Sequence, residues 1–265
     1  MKTPFLNDTV FENITDSNGT FSKHFHDTYT IGLTHDGLFK SIHTNTTSLA
    51  YKRSTRIINP GEVHCGDSRS WQYTNFYPSV ELLSQIYEQM YGTYAMPIFE
   101  KHIIEDDFLY AHLRDFFHSV YQGAEPFEVE SKLILALSYM IERYAFGVQK
   151  RFTCKKEQEI TWALEYIHDN LETEISLEAL SSESRLSKYH FLRLFKEQTG
   201  VTPHQYVIAQ RIQKAKQFIL EGETLSLAGV RAGFSDQSHF IRSFRKIYGY
   251  SPKTLLQKSN FILYS

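Results

Sequence analysis

The chain has 265 residues, 42% hydrophobic and 15% aromatic, enough apolar side chain for one large or two ordinary packed domains and too much for a disordered chain. No window approaches eighteen unbroken apolar residues, which argues against a membrane-spanning helix. The net charge of −2 hides a division: residues 184–258 carry 13 Lys/Arg against 4 Asp/Glu, leaving 15 basic and 26 acidic residues elsewhere, so a polyanionic partner is expected for the C-terminal part alone.

The start, MKTPFLNDTVFEN, is acidic and polar and does not read as a signal peptide. Cys65 and Cys154, the two cysteines, are far apart, which fits a reducing cytoplasm better than a disulfide framework. Across the first eighty residues, short β-rich runs (Tyr29–Leu33, Leu38–Ile42 and Thr55–Ile58) alternate with Gly, Asn, Asp and Pro, and THDG (34–37) and NPGE (59–62) are the clearest turns. This pattern predicts a small β-barrel or sandwich. From Pro78 onward the period changes. SVELLSQIYEQM, DDFLYAHLRDFFHSVY and FEVESKLILALSYMIERYAF carry apolar residues at three- and four-residue spacing, so three helices are expected. In the third, Leu133, Ile134, Leu137, Met140, Ile141 and Tyr144 exceed one face, which predicts packing on the barrel and contact with a second chain.

GVQKRFTCKKE (147–157) is polar, basic and aperiodic, and is the expected linker. Beyond it the pattern is helical. Ser176 and Ser187 are candidate caps, Thr202-Pro203 a cap and first-turn proline, and Gly200 and Gly249 helix stops. This half also repeats itself at an offset of 49 residues: His190-Phe191 recurs as His239-Phe240, Arg193 as Arg242, Phe195 as Phe244, Gly200 as Gly249, and Thr202-Pro203 as Ser251-Pro252. Each copy is a short helix, a tight turn and a second helix, the helix-turn-helix layout whose second helix enters the DNA major groove. The outward stripes are Tyr189, Leu192, Arg193 and Lys196 in one copy and Ser238, Ile241, Arg242 and Arg245 in the other. Such a mixture suits base reading: arginine pairs with guanine, hydroxyls adapt to several edges, and apolar groups meet thymine methyls. Lysine and a distal arginine suit phosphates. Phe191, Leu194, Phe195, Phe240 and Phe244 are expected in the core.

RIQKAKQFIL (211–220) followed by AGFSDQSHFIRSFRKIYGYSP, together with LSKYHFLRLFKEQTGVTPHQYV (186–207), resembles the signature of AraC/XylS-type transcription regulators over roughly residues 158–256. The resemblance implies two helix-turn-helix units joined by a long helix, with Ile212, Ala215 and Ile219 packing inward and the reading helices about one DNA turn, roughly 34 Å, apart. It places base contacts on Tyr189, Leu192, Arg193, Gln237, Ser238, Ile241 and Arg242; Lys188, Lys196 and Arg245 complete the expected DNA-binding set. Two departures are Gly229, in mid-helix at a cost of ~1 kcal/mol, and Leu255-Leu256 where an aromatic or arginine commonly follows the last Ser-Pro.

HFHDTYTIGLTHDG (24–37) and INPGEVHCG (58–66) resemble the cupin-like sensor domains of the same family. They imply a fold that is multidomain α+β: a cupin-like barrel with packed helices over 1–146, a linker over 147–157, and an all-α DNA-binding domain over 158–265. His24, His26, Tyr29 and His64 are the candidate ligand-binding residues, with Trp71 and Tyr73 as further candidates for the pocket lining. The expected function is sequence-specific DNA binding for transcription regulation, controlled by a small-molecule effector in the barrel. The expected partners are double-stranded DNA, an effector, RNA polymerase for an activator, and a second copy of the chain; no catalytic group, cofactor or metal is expected. The alternative is a metal-dependent cupin enzyme or metal sensor fused to the DNA-binding module, since His24, His26 and His64 resemble a cupin ligand set able to hold Fe, Ni or Zn. Against it, the glutamate usual in such enzymes is replaced by Thr30 and Ile31.

Overall fold

The computed structural model describes residues 6, 9–44, 46–149, 158–184, 186, 188–256 and 261–264, without the side chains of 147–149, 158–159, 183, 188–190, 193 and 261–264. The N-terminal part is built on three long antiparallel strands, β1 (Thr9–His24), β2 (Thr30–His43) and β5 (His64–Phe76), with β5 between the other two. The short strands β3 (Thr47–Tyr51) and β4 (Thr55–Ile58) pair with β2, and β7 (Ile103–Ile104) pairs with β4. THDG, expected as a turn, instead lies inside β2. The β-rich runs on both sides of it pair with the same partner strand, so the ladder continues through register shifts at Thr34/Asp36 and Asp36/Leu38. Gly37 takes φ 74° there, and a Cβ on it would meet the Ser70 carbonyl oxygen at 2.1 Å. NPGE is a turn as expected, with Gly61 at φ 74°.

The three expected helices are α1 (Val80–Tyr91), α2 (Asp107–Tyr121) and α3 (Pro126–Tyr144). Asp106 caps α2 by accepting from the Phe108 and Leu109 amides, and its other oxygen accepts from Tyr139 and Tyr144 of α3, which ties the two helices together. Their apolar faces close a core against the sheet: Leu109, Leu113, Phe116, Leu133, Leu137 and Met140 pack with Phe11, Ile31 and Phe76. Ile134 and Leu135 of α3 remain exposed.

The helical half runs α4 (Gln158–Asp169), α5 (Leu177–Glu183), α6 (Lys188–Thr199), α7 (Pro203–Leu220), α8 (Leu225–Arg231) and α9 (Gln237–Tyr248), followed by a 3-10 turn over Pro252–Leu256. Ser176 caps α5, and Thr202 forms a reciprocal capping box with Gln205 at the start of α7. Ser187 lies outside the described residues. Gly200 and Gly249 adopt φ 76° and 77° where α6 and α9 end. Gly229 is explained by packing: a Cβ there would press on the Phe240 ring at 3.3 Å, so glycine lets α8 lie close on α9.

Two features differ from the expected division at 146 and 158. Residues Ala145–Gln149 form β8, which pairs with β6 (Met96–Phe99), so part of the expected linker is strand. The terminal strand β9 (Phe261–Tyr264) pairs with β1, returning the end of the chain to the N-terminal sheet. The apolar run Phe-Ile-Leu-Tyr is too short for its period to distinguish strand from helix. The two halves also share a core. Phe21, Phe39, Trp71 and Tyr73 of the sheet pack with Ile212, Ala215, Phe240, Phe244 and Tyr248.

Candidate functional site

Asp236 sets the start of α9 by accepting a hydrogen bond from the His239 amide at 2.7 Å. From there the helix divides cleanly. Phe240, Ser243, Phe244, Ile247 and Tyr248 are buried, whereas Gln237, Ser238, Arg242 and Arg245 are exposed and Ile241 is partly so. In α6, Phe191 and Phe195 are buried at 0% exposure, Leu192 is partly buried and Lys196 is exposed. The side chains of Lys188, Tyr189 and Arg193 lie outside those described. Among the described residues, Lys196, Arg242 and Arg245 enter no ion pair, so their charge is open to an external polyanion. Leu192 of α6 and His239 of α9 line one cleft of about 900 Å³ between the helix-turn-helix units, together with Val207 and Arg211 of α7.

Much of the other basic charge is used internally. Arg211 donates from Nε to the Leu171 carbonyl (2.8 Å) and from Nη2 to that of Thr173 (2.6 Å), fixing the segment that follows α4. Lys214 pairs with Glu172 at 2.8 Å, and Lys216 turns into the interface between the halves.

That interface holds the second part of the site. His24, His26 and His64 come together as the sequence suggested, with ring centroids 4.3 to 5.3 Å apart. His24 Nδ1 contacts the Ser22 carbonyl at 2.7 Å and His64 Nδ1 that of Glu62 at 2.9 Å, which fixes both tautomers with Nδ1–H as donor. Burial lowers the His24 pKa to about 4 and holds His26 and His64 well below 6.5, with the charges of Arg56 and Lys216 acting in the same direction on His24 and His26, so the triad is neutral. Trp71 and Tyr73 line the same small cavity, of about 20 Å³, which is room for one water-sized group. Tyr29 does not: it is buried in the opposite core and donates to the Pro97 carbonyl at 2.7 Å. Directly before β2, it points to the helix-covered side of the sheet.

Sequence reasoning missed the charged groups here. Arg56 is buried in β4 with its guanidinium 5.0 Å from the centres of both the Phe39 and Trp71 rings, and its Nε has no hydrogen-bond partner. Glu12 of β1 forms a buried ion pair with Lys216 of α7, and accepts from the hydroxyls of Tyr77 and Tyr250, each at 2.7 Å. Burial opposes both charges. At Glu12 the lysine and the phenols together outweigh it and lower the pKa; at Lys216 burial wins and lowers the ammonium pKa despite Glu12. Two amides add to the seam, Gln210 to Asp27 at 2.9 Å and Gln213 to the Phe25 carbonyl at 2.8 Å. The one sequence signal was a lone arginine inside the apolar run TRII and a lone lysine between inward-facing Ala215 and Ile219.

A family model described as an AraC-like ligand binding domain matches residues 11–137, and one described as a helix-turn-helix domain matches residues 180–258. The HTH-type transcriptional regulator YbfI of Bacillus subtilis is 26% identical over 230 residues, covering 83% of this chain and 81% of that protein. The probable transcriptional regulator LumQ of Photobacterium leiognathi is 43% identical over 104 residues, which span 38% of this chain and 42% of LumQ. The fold is similar to that of ToxT from Vibrio cholerae: an apo form of a point variant superposes with a TM-score of 0.67 at 14% identity over 98% of both chains, and an unsaturated fatty acid-bound wild-type form at 0.65 and 12% over 94% of both. The two models follow one another in this order and together span most of the sequence, so the chain belongs to the AraC-type transcriptional regulators, with an AraC-like ligand-binding domain followed by a DNA-binding helix-turn-helix domain.

Proposed function

We propose that this regulator reads DNA with α6 and α9 and that an effector in the N-terminal pocket controls how those helices are presented. The observation that carries the proposal is the double role of α9. Its exposed face bears Gln237, Ser238, Arg242 and Arg245, while its last turn puts Ile247 and Tyr248 into the pocket wall beside His26. A change in the pocket therefore acts on a reading helix directly, through one rigid element. Because the pocket admits only a water-sized group in this arrangement, an organic effector binds a state with α7 and α9 drawn back, and its differential affinity sets the shift.

Charge favours an organic monoanion as effector. The pocket and its rim hold Arg56 and Lys216 against Glu12, with the histidines neutral, a net of one positive charge, and Arg56 has an unsatisfied Nε. Aromatic walls of Phe21, Phe39, Trp71 and Tyr73 suit an apolar body, and ToxT has been seen with an unsaturated fatty acid. Lys188, Tyr189, Leu192, Arg193, Lys196 and Ile241 complete the DNA set. The protein acts by binding and not by catalysis, in the cytoplasm, with the sensor part within about 1–149 and the DNA-binding part from 158 to the 3-10 turn. Self-association uses the exposed stripe Phe127, Ile134 and Leu135 of α3, and RNA polymerase is the partner of an activating form.

Genome-wide footprinting of the tagged full-length protein tests the core of this reading. Discrete sites sharing a sequence, lost in an Arg242→Ala/Arg245→Ala variant, are expected; diffuse occupancy unaffected by those changes refutes it. Organic acids suggested by the neighbouring genes are then titrated against wild type and Arg56→Lys.

A further inference from the structure

A second histidine cluster lies beside the pocket, with His43 and His64 ring centroids 6.0 Å apart. It gathers residues from three separate segments: His43 ends β2, Glu62 sits in the turn between β4 and β5, and His102 precedes β7. Nδ1 of His43 lies 2.8 Å and Nε2 of His102 2.5 Å from one oxygen, Oε1 of Glu62. The two rings are parallel within 8°, their centroids 3.5 Å apart. Both histidines are buried, while Glu62 retains 23% of its side-chain exposure, leaving a way in from solvent.

Each of the three groups is held from behind. His43 uses its far nitrogen, Nε2, on the buried Ser41 hydroxyl at 2.9 Å. Nδ1 of His102 faces the Thr46 hydroxyl at 3.5 Å. Oε2 of Glu62 accepts from the Asn59 amide (3.3 Å) and its side-chain Nδ2 (3.1 Å), and Asn59 is itself pinned to the backbone of Phe99. Three donor atoms thus converge while their partner atoms are occupied elsewhere, the arrangement by which outer contacts orient metal ligands. Within the protein alone the convergence is poorly resolved: Nδ1 of His43 is buried and, though close to the carboxylate, makes no hydrogen bond to it.

We propose that His43, Glu62 and His102 form a binding site for a divalent first-row transition-metal ion, with His43 Nδ1, His102 Nε2 and Glu62 Oε1 as ligands and the remaining positions open to water. Two imidazoles and one carboxylate are a donor set for Zn2+ or Fe2+. Arms of ~2.1 Å place neighbouring donors ~3.0–3.4 Å apart, so the two contacts to Glu62 open by less than an ångström, and the stacked His43 and His102 rings tilt out of parallel so that both in-plane lone pairs meet one ion. The triad His24, His26 and His64 also offers three close nitrogens, but it shares its surroundings with Arg56 and Lys216, which disfavour an added dication; the Glu62 cluster brings its own negative charge. An ion here ties the end of β2 to the β4–β5 turn, whose Glu62 carbonyl accepts from His64, so occupancy is transmitted to the pocket wall.

The test is titration of chelator-stripped, full-length protein with Zn2+ by calorimetry, with Co2+ absorption as a second readout. One equivalent binds wild type; Glu62→Gln and His102→Gln each weaken binding at least about 100-fold, and Ser41→Ala, which loosens His43 from behind, about 10–100-fold. His24→Ala binds as wild type does. The proposal is overturned by folded wild type that binds no ion, by unchanged affinity in Glu62→Gln, or by loss in His24→Ala, which moves the ion to the other triad. Should the ligand variants fail to fold, Ser41→Ala decides: weakened binding supports the site and wild-type affinity overturns it.

Discussion

The Glu12–Lys216 pair is the most exacting feature of the seam between the halves, and Lys216→Met tests it. Both side chains are nearly sealed from solvent, at 1% and 6% exposure, and the substitution keeps most of the lysine volume while removing its charge. Glu12 is then left with the Tyr77 and Tyr250 hydroxyls and no counter-charge. Leaving one partner of a buried pair uncompensated costs about 3–5 kcal/mol, so urea unfolding monitored at equilibrium is expected to show a loss of that size. If the loss is taken up by the seam alone, the undocked arrangement gains roughly 100- to 4000-fold in population, at tenfold per 1.4 kcal/mol, and amide exchange in β1 and α7 rises together. Glu12→Gln is expected to cost less, because burial already weakens the Lys216 ammonium and the amine can shed its proton. The double variant regains most of the loss, since neither buried charge remains. A Lys216→Met protein within about 0.5 kcal/mol of wild type, the ordinary range of a neutral surface change, or a double variant worse than the single, refutes the reasoning.

Arg242→Ala is expected to cost about 1–3 kcal/mol at the cognate site and relax preference at one base pair, measured by competition with single-base variants of that site. Lys196→Ala weakens all sequences alike and reduces the slope of log affinity against log salt by about 1. The pocket histidines make the fold acid-sensitive. Their native pKa values lie below 6.5, about 4 for His24, so as pH falls the unfolded chain takes up protons first. Stability is therefore full above about pH 6.5 and declines towards pH 4, His24 alone accounting for about 3 kcal/mol, and His24→Phe flattens the decline in a melting series. Leu135→Glu on the exposed stripe of α3 is expected to abolish self-association in sedimentation while leaving the monomer's melting temperature nearly unchanged.

The helical half was legible because its information is local. Caps at Ser176, Thr202 and Asp236, stops at Gly200 and Gly249, and the 3.6-residue spacing of Phe240, Phe244 and Ile247 are each complete within a short stretch of chain, and the 49-residue repeat doubled the signal. Gly229 was read only as a helix weakener, because its contact with the Phe240 ring is tertiary. In the sheet, THDG has turn composition, yet the bulges absorb it once β5 pairs on both sides. The pocket histidines announced themselves by spacing, but Tyr29, just beyond His26, faces the opposite core: a loop between His26 and β2 hides the phase of the alternation. Glu12 and Lys216 are 204 residues apart, and no periodicity links them. His43 and His102 likewise meet Glu62 only after the sheet has folded.

The central claim is that two reading helices on one polypeptide engage DNA. Methylation-interference footprinting of the full-length protein on a single operator tests it most directly. Two major-groove patches on one face, separated by one helical turn of about 10–10.5 base pairs, are predicted, with Arg193→Ala erasing one and Arg242→Ala the other. A single patch, or two patches that both survive either substitution, contradicts the account.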